Sequence, residues 1–143
     1  MKVVFLDRDG VINKDPQEKF YVMKWSDFHF LPGAISAVKK LNKTGFKIAI
    51  ISNQAGVGKE LFKRGVLRSI TKKMLAKIKA RGGKIKKVYY CLHRSQDNCP
   101  CRKPKTGLLK KAFLYFKAAP SDTFFIGDSE VDVIAGHKMG CRT

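Results

Sequence analysis

Short, uninterrupted apolar runs alternate along this chain with longer amphipathic stretches, and that alternation restricts the fold more than any other feature. The apolar runs predict strands at Lys2–Leu6, Phe46–Ile51, Ile85–Tyr90 and Thr123–Ile126. Between them, apolar residues recur at helical spacing. Ile35, Val38 and Leu41 predict a helix opened by Pro32-Gly33 and running to about Asn42. Leu67, Ile70, Met74, Leu75 and Ile78 predict a second over Val66–Ala80, stopped by Gly82-Gly83. Lys105–Ala118 and Glu130–Met139 complete the set. Strands with no polar alternation have no solvated face, so they belong in a parallel sheet covered on both sides. The expected class is α/β, a Rossmann-like three-layer sandwich in one domain spanning 1–143. The segment Asn13–Leu31 has no clear period and reads as an ordered loop or short hairpin. Gly140-Cys141-Arg142-Thr143 follows the last helix where another strand would be natural, so the domain reads as one short of a C-terminal strand.

No apolar window is long enough to span a membrane, and the run ending at Asp7 is too short for a signal peptide, so a cytoplasmic protein is expected. Lys and Arg number 30 against 11 Asp and Glu, a net charge of +19. Such a field attracts phosphorylated metabolites, nucleic acid or anionic surfaces. It is equally the signature of a generally Lys-rich composition, because the lysines are spread along helices.

Chemistry concentrates where the apolar runs end. Asp7-Arg8-Asp9-Gly10 places two carboxylates on the same side of a strand terminus, where open α/β sheets bind ligands. One carboxylate can attack while its neighbour moves protons, and both can lie near a metal. Ser52-Asn53 ends the second run. Its hydroxyl and the backbone N–H groups beyond it suit a phosphate oxygen, or a turn with local side-chain bonding. Gln54–Lys59 is similar to a phosphate loop but lacks the first glycine and the hydroxyl residue after the lysine, which excludes a nucleoside triphosphatase and leaves a mobile glycine loop. Asp128 ends the fourth run. Three converging carboxylates need a cation, and oxygen ligands favour Mg²⁺; Asp128 equally fits an acidic helix N-terminus, and Asp132 reads as structural.

Cys91-x-His93-x5-Cys99-x-Cys101 supplies three thiolates and an imidazole, a closed tetrahedral set for a structural Zn²⁺. The alternative is a buried cluster of reduced cysteines. Arg102-Lys103 follows directly. Lys103 suits a phosphate or a charged aspartate, and Arg102 a bidentate fork to a substrate oxygen.

Together these residues resemble the haloacid dehalogenase (HAD) superfamily of phosphotransferases, whose landmarks occur here in order: Asp7-Arg8-Asp9-Gly10, Ser52-Asn53, Lys103, and Gly127-Asp128 with Asp132. The Cys-His insert before Arg-Lys-Pro is similar to the capless, zinc-containing branch that includes the heptose-bisphosphate and histidinol-phosphate phosphatases. The resemblance implies a capless HAD fold with a zinc-binding loop. It implies that Asp7 is the nucleophile, that Asp9 is the acid and base, and that Ser52 and Lys103 hold the phosphoryl oxygens. It implies Mg²⁺ held by Asp7, Asp128 and the Asp9 backbone carbonyl, Zn²⁺ held by Cys91, His93, Cys99 and Cys101, and substrate contacts from Asn53 and Arg102. Ser129 stands where related enzymes often carry a Lys or Arg. The missing strand lies, in the family order, at the sheet edge beside the Asp128 strand.

Phe30-Leu31-Pro32-Gly33, Ser52–Gly56 and Tyr89-Tyr90-Cys91 are similar to the heptose enzymes, whereas the short spacer between His93 and Cys99 is similar to the histidinol-phosphate enzymes. The first expectation is therefore a monomeric phosphatase of a small sugar phosphate, the heptose 1,7-bisphosphate of surface-polysaccharide precursor synthesis. Histidinol phosphate is the second. The basic charge raises a polynucleotide 3′-phosphatase, against which the zinc insert and the lack of clustered aromatics argue. A catalytically silent binding protein is the remaining class, and the intact carboxylates argue against it.

Overall fold

The computed structural model describes residues 1–143. The apolar runs form four parallel strands: β1 (Val3–Leu6), β2 (Lys47–Asn53), β3 (Lys87–Cys91) and β4 (Thr123–Ile126), in the order β3-β2-β1-β4. The helices are α1 (Ala34–Lys43), a single turn α2 (Ala55–Gly58), α3 (Arg64–Ala80), α4 (Gly107–Phe116) and α5 (Glu130–Lys138). No helix is long and apolar enough to cross a membrane.

Strand periodicity divides the core into two layers. Val4, Leu6, Ile48 and Ile50 pack on Val38 of α1 and on Ile70, Met74 and Ile78 of α3. Val3, Phe5, Ala49 and Ile51 face the other way, onto Leu108, Leu109, Ala112 and Phe116 of α4 and Ala135 of α5. All four residues of β1 are buried, as the unbroken apolar run requires of a strand covered on both faces.

Helix ends differ from the expected ones by a few residues, for local reasons. α4 closes at Phe116 because Lys117 turns left-handed (φ 52°) and its N–H bonds the Phe113 carbonyl. α1 ends where the Thr44 hydroxyl donates back to the Leu41 carbonyl, ahead of a left-handed Gly45. The glycine loop expected over Gln54–Lys59 is instead ordered as α2. Gly56 sits under Phe62 and Tyr21, where a side chain would not fit, so the glycine permits close packing.

The Asn13–Leu31 segment is a loop with single 3-10 turns at Gln17–Lys19 and Trp25–Asp27. An Asn13–Phe30 antiparallel bridge draws its ends together, and Val22 and Phe28 anchor it in the α1/α3 layer. A start of the expected further strand is also present: the Phe125 N–H bonds the Arg142 carbonyl (2.7 Å) and the Arg142 N–H bonds the Thr123 carbonyl (3.0 Å), a parallel bridge beside β4.

Candidate active site

From β1 the chain moves outward to β2 and β3, then crosses back to β4 on the other side of β1. Such a reversal opens a crevice at the carboxyl ends of the strands. Asp7 and Asp9 leave β1 there, Ser52 and Asn53 end β2, and Asp128 follows β4. With Lys103 they line one cleft of about 230 Å³. Lys103 is the one basic residue among its lining side chains.

Lys103 is 3% exposed, and its position depends on three strand ends. Its Nζ donates to the Ile51 carbonyl (2.9 Å) and pairs with Asp132 Oδ1 (2.5 Å) and Asp7 Oδ1 (3.2 Å). Asp132 also accepts from the backbone N–H and hydroxyl of Ser129, closing a capping box at the start of α5. The structural part read for Asp132 is present, and the ion pair to Lys103 adds to it. Asn53 uses both ends of its amide on the main chain of residue 103: Nδ2 donates to its carbonyl (3.1 Å), and Oδ1 accepts from its N–H (3.0 Å). Ser52 is buried, and its hydroxyl accepts from Gln54 (3.0 Å).

Burial pushes the Asp7 carboxyl up from 3.8 to about 6; Lys103 opposes this and the charge of Asp132 adds to it. Asp128 is likewise raised by desolvation and by Asp132. Asp7, Asp128 and Asp132 each bring a carboxylate oxygen within 4.8 Å of the others. This oxygen set suits a hard divalent cation, and Lys103 alone does not balance three carboxylates.

Because the native state retains the Asp7 proton more strongly than the unfolded chain, stability is greatest below about pH 4 as far as this group is concerned. It falls as the pH rises from about 4 to about 6. Denaturant midpoints followed across that window in Mg²⁺-free buffer are expected to show the decline, and added Mg²⁺ to suppress it.

Asp9 is held by residues the sequence reading left unassigned. Arg8 donates to Oδ1 from Nε (3.0 Å) and Nη2 (2.9 Å), Asn13 donates to the same atom (2.9 Å), and Gln54 donates to Oδ2 (3.1 Å). Arg8 is fully buried, with its guanidinium between the Phe28 and Tyr90 rings. Its place between two aspartates at a strand end was the available signal, since the intervening residue must turn to the opposite face. Gln54 lies 45 residues from Asp9 and carried no such signal.

Gly10 adopts φ +85°, and a Cβ there would run into the Asp128 carboxylate. Gly10→Ala is expected to cost roughly 1–2 kcal/mol in backbone strain and to displace Asp128. Titration of activity with Mg²⁺ should then show at least a tenfold higher requirement, on the order expected when a metal site is disturbed.

The four ligands expected for zinc converge. Cys91 Sγ lies 3.6 Å from His93 Nδ1 and 3.6 Å from Cys99 Sγ, and Cys101 Sγ lies 3.1 Å from Cys91, 3.6 Å from Cys99 and 3.2 Å from His93 Nδ1. A tetrahedron with metal–sulfur bonds of about 2.3 Å has sulfur–sulfur edges of about 3.8 Å, so the set fits Zn²⁺. Desolvation opposes ionisation of Cys99, yet the Arg102 and Cys101 N–H groups hold its thiol down to about 6; the Arg102 N–H lies 3.3 Å from its sulfur. Burial pushes Cys91 up to about 12. The loop leads straight to Lys103. Arg102 is outside the cleft lining, with Nη1 enclosed and without a protein partner.

The family model described as polynucleotide kinase 3 phosphatase matches residues 2–138. The chain is 36% identical over 140 residues to a D-glycero-beta-D-manno-heptose-1,7-bisphosphate 7-phosphatase of Neisseria meningitidis, covering 98% of this chain and 74% of that protein. It is 34% identical to a histidine biosynthesis bifunctional protein HisB of Campylobacter jejuni, covering 99% of this chain and 40% of that protein. The solved D,D-heptose 1,7-bisphosphate phosphatase from B. bronchiseptica, complexed with magnesium and phosphate, superposes with a TM-score of 0.94 at 30% identity, covering 99% of this chain and 78% of that one. Strand order, the carboxylate–lysine cleft and relatedness over nearly the whole chain agree: the chain belongs to the HAD superfamily, in the heptose-bisphosphate phosphatase family.

Proposed function

We propose that this protein is a phosphatase that hydrolyses a small sugar-phosphate monoester through an aspartyl-phosphate, with D-glycero-D-manno-heptose 1,7-bisphosphate, cleaved to the 1-phosphate, as the first substrate. The observation that carries the reading is the placing of Asp7, Asp9, Lys103 and Asp128 around one small cleft. The heptose assignment rests on the relatives.

In the first step an Asp7 oxygen attacks phosphorus, the ester P–O bond breaks, and Asp9 gives its proton to the leaving sugar oxygen. In the second, Asp9 takes a proton from water as the water oxygen attacks phosphorus. The bond to Asp7 breaks, and phosphate leaves. Ser52 and Lys103 hold the phosphoryl oxygens. Arg8, Asn13 and Gln54 fix the direction of Asp9, and Asn53 fixes Lys103. Mg²⁺ held by Asp7, Asp128 and the Asp9 carbonyl would offset phosphate charge. Zn²⁺ on Cys91, His93, Cys99 and Cys101 would be structural. Arg102, the other residue expected to touch substrate, lies outside the cleft lining with Nη1 buried, so a substrate contact from it requires its side chain to turn toward the cleft.

Histidinol phosphate is the second reading, favoured by the five-residue spacer between His93 and Cys99 and by the relative in histidine biosynthesis. A polynucleotide end is the third candidate, raised by the net charge of +19 and disfavoured by the zinc insert and by the lack of aromatics clustered with the basic residues. Phosphate release with Mg²⁺ from the heptose bisphosphate, histidinol phosphate and a 3′-phosphorylated oligonucleotide tests this. The heptose is expected to give the highest kcat/KM. A higher value for either of the others replaces the assignment.

A further inference from the structure

Gln54 is buried and does not line the cleft, yet its side chain touches two residues that do. Its Nε2 donates to Asp9 Oδ2 (3.1 Å) and to Ser52 Oγ (3.0 Å). An amide nitrogen carries two hydrogens and accepts none, so both are used. The reverse orientation of the amide would set its oxygen against the Asp9 carboxylate, two acceptors with no hydrogen between them. The backbone of the same residue is also held: the Gln54 N–H donates to the carbonyl of Cys91, the last residue of β3 (2.7 Å).

Donor and acceptor counts then fix two orientations. A serine hydroxyl has one hydrogen and two lone pairs. Ser52 accepts from an Nε2 that cannot accept in return, so its own hydrogen points elsewhere. The acceptor it reaches in the protein is the Asn53 carbonyl at 3.4 Å, longer than the usual O–H···O range. A phosphoryl oxygen in the cleft is the better partner. Asp9 is constrained in the same way. Its Oδ1 receives Nε and Nη2 of Arg8 and Nδ2 of Asn13, at 3.0, 2.9 and 2.9 Å, and has no lone pair left for a reacting group. Oδ2 receives Gln54 and keeps one position free.

Resting on the phosphatase reading above, we propose that Gln54 is a positioning residue for both steps of the reaction. Its buried amide makes the Ser52 hydroxyl a donor toward the phosphoryl group and leaves Asp9 Oδ2 as the atom that moves the proton. The proton passes from Oδ2 to the ester oxygen as the P–O bond breaks. Oδ2 takes a proton back from water as the bond between phosphorus and Asp7 breaks. Because both hydrogens sit on one nitrogen, the group that binds the phosphoryl oxygens and the group that moves protons keep a fixed relation.

A buried amide that only fills space predicts the same loss on every substrate when it is replaced. Gln54→Met keeps the length and removes both donors. It is compared with the parent by kcat/KM on the heptose bisphosphate and on p-nitrophenyl phosphate. Since p-nitrophenolate leaves without being protonated, the aryl ester needs Asp9 in the second step alone. The loss on the sugar ester is expected to exceed that on the aryl ester by at least about tenfold. The aryl ester should also give a burst of p-nitrophenolate, because attack by water becomes the slow step. S52A is expected to cost less in Q54M than in the parent, as the hydroxyl is no longer aimed. Tm is the check on folding, and Gln54→Leu is read in the same way if the Met variant does not fold. Even losses on the two esters, or parent rates in the variant, overturn the positioning role. Additive effects of S52A and Q54M overturn its Ser52 half. A parent inactive on every ester removes the phosphatase reading and this role with it, whereas an active parent with even losses removes this role alone.

Discussion

Asp7→Asn is expected to lower phosphate release by about 10⁴-fold or more, the scale seen when a covalent nucleophile is lost. The replacement keeps the side chain's size and its hydrogen bond from the Arg8 N–H (2.8 Å), but an amide oxygen does not form the phosphoryl ester. A merely structural aspartate predicts a different pattern, because its loss would harm folding. Here the reverse is expected in Mg²⁺-free buffer near neutral pH. Burial holds the Asp7 carboxyl at about 6, so its ionisation opposes folding, and the amide removes that penalty. At 1.36 kcal/mol per pH unit the gain is at most about 2–3 kcal/mol. The variant should therefore be inactive, at least as stable as the parent without Mg²⁺, and less dependent on pH between 4 and 6, with the smaller decline left by the raised Asp128. Retained turnover would remove Asp7 as nucleophile.

Cys101→Ser is expected to have the second largest effect. Cys101 is half-buried, unlike Cys91 and Cys99, so its replacement tests metal binding more than core packing. Between Cys91 and Lys103 the loop contributes little apolar surface, and its local order comes from a 3-10 turn and the Arg94–Asp97 pair (2.8 Å). A structural zinc contributes folding free energy on the order of 10 kcal/mol in small domains. Loss of one ligand should abolish stoichiometric zinc in elemental analysis and lower Tm by about 10 °C or more. Lys103 lies two residues past Cys101, so kcat/KM should fall with it. A zinc-free variant with unchanged Tm and activity would show that the loop stands without the metal.

The strands were legible because burial on both faces leaves one solution for an unbroken apolar run. The site carboxylates were legible because they end those runs. What the sequence did not disclose is held by contacts between distant residues: Gln54 reaching Asp9, and Asn53 grasping the backbone of residue 103, 50 positions away. No period or local propensity records such pairs. Gly56 was read by its freedom, whereas its use is the absence of a side chain under Phe62. Asp132 met both of its demands at once, since a helix-capping carboxylate and a partner for a buried lysine look alike in sequence.

The grip of Asn53 on residue 103 also decouples that residue from the loop before it. The loop after β3 is drawn together by the convergent side chains of Cys91, His93, Cys99 and Cys101, and beyond them it is fastened by this amide. Insertions or substitutions between His93 and Cys99 are therefore expected to leave the lysine in place. In this architecture the length of that stretch is uncoupled from the placing of the cation in the cleft.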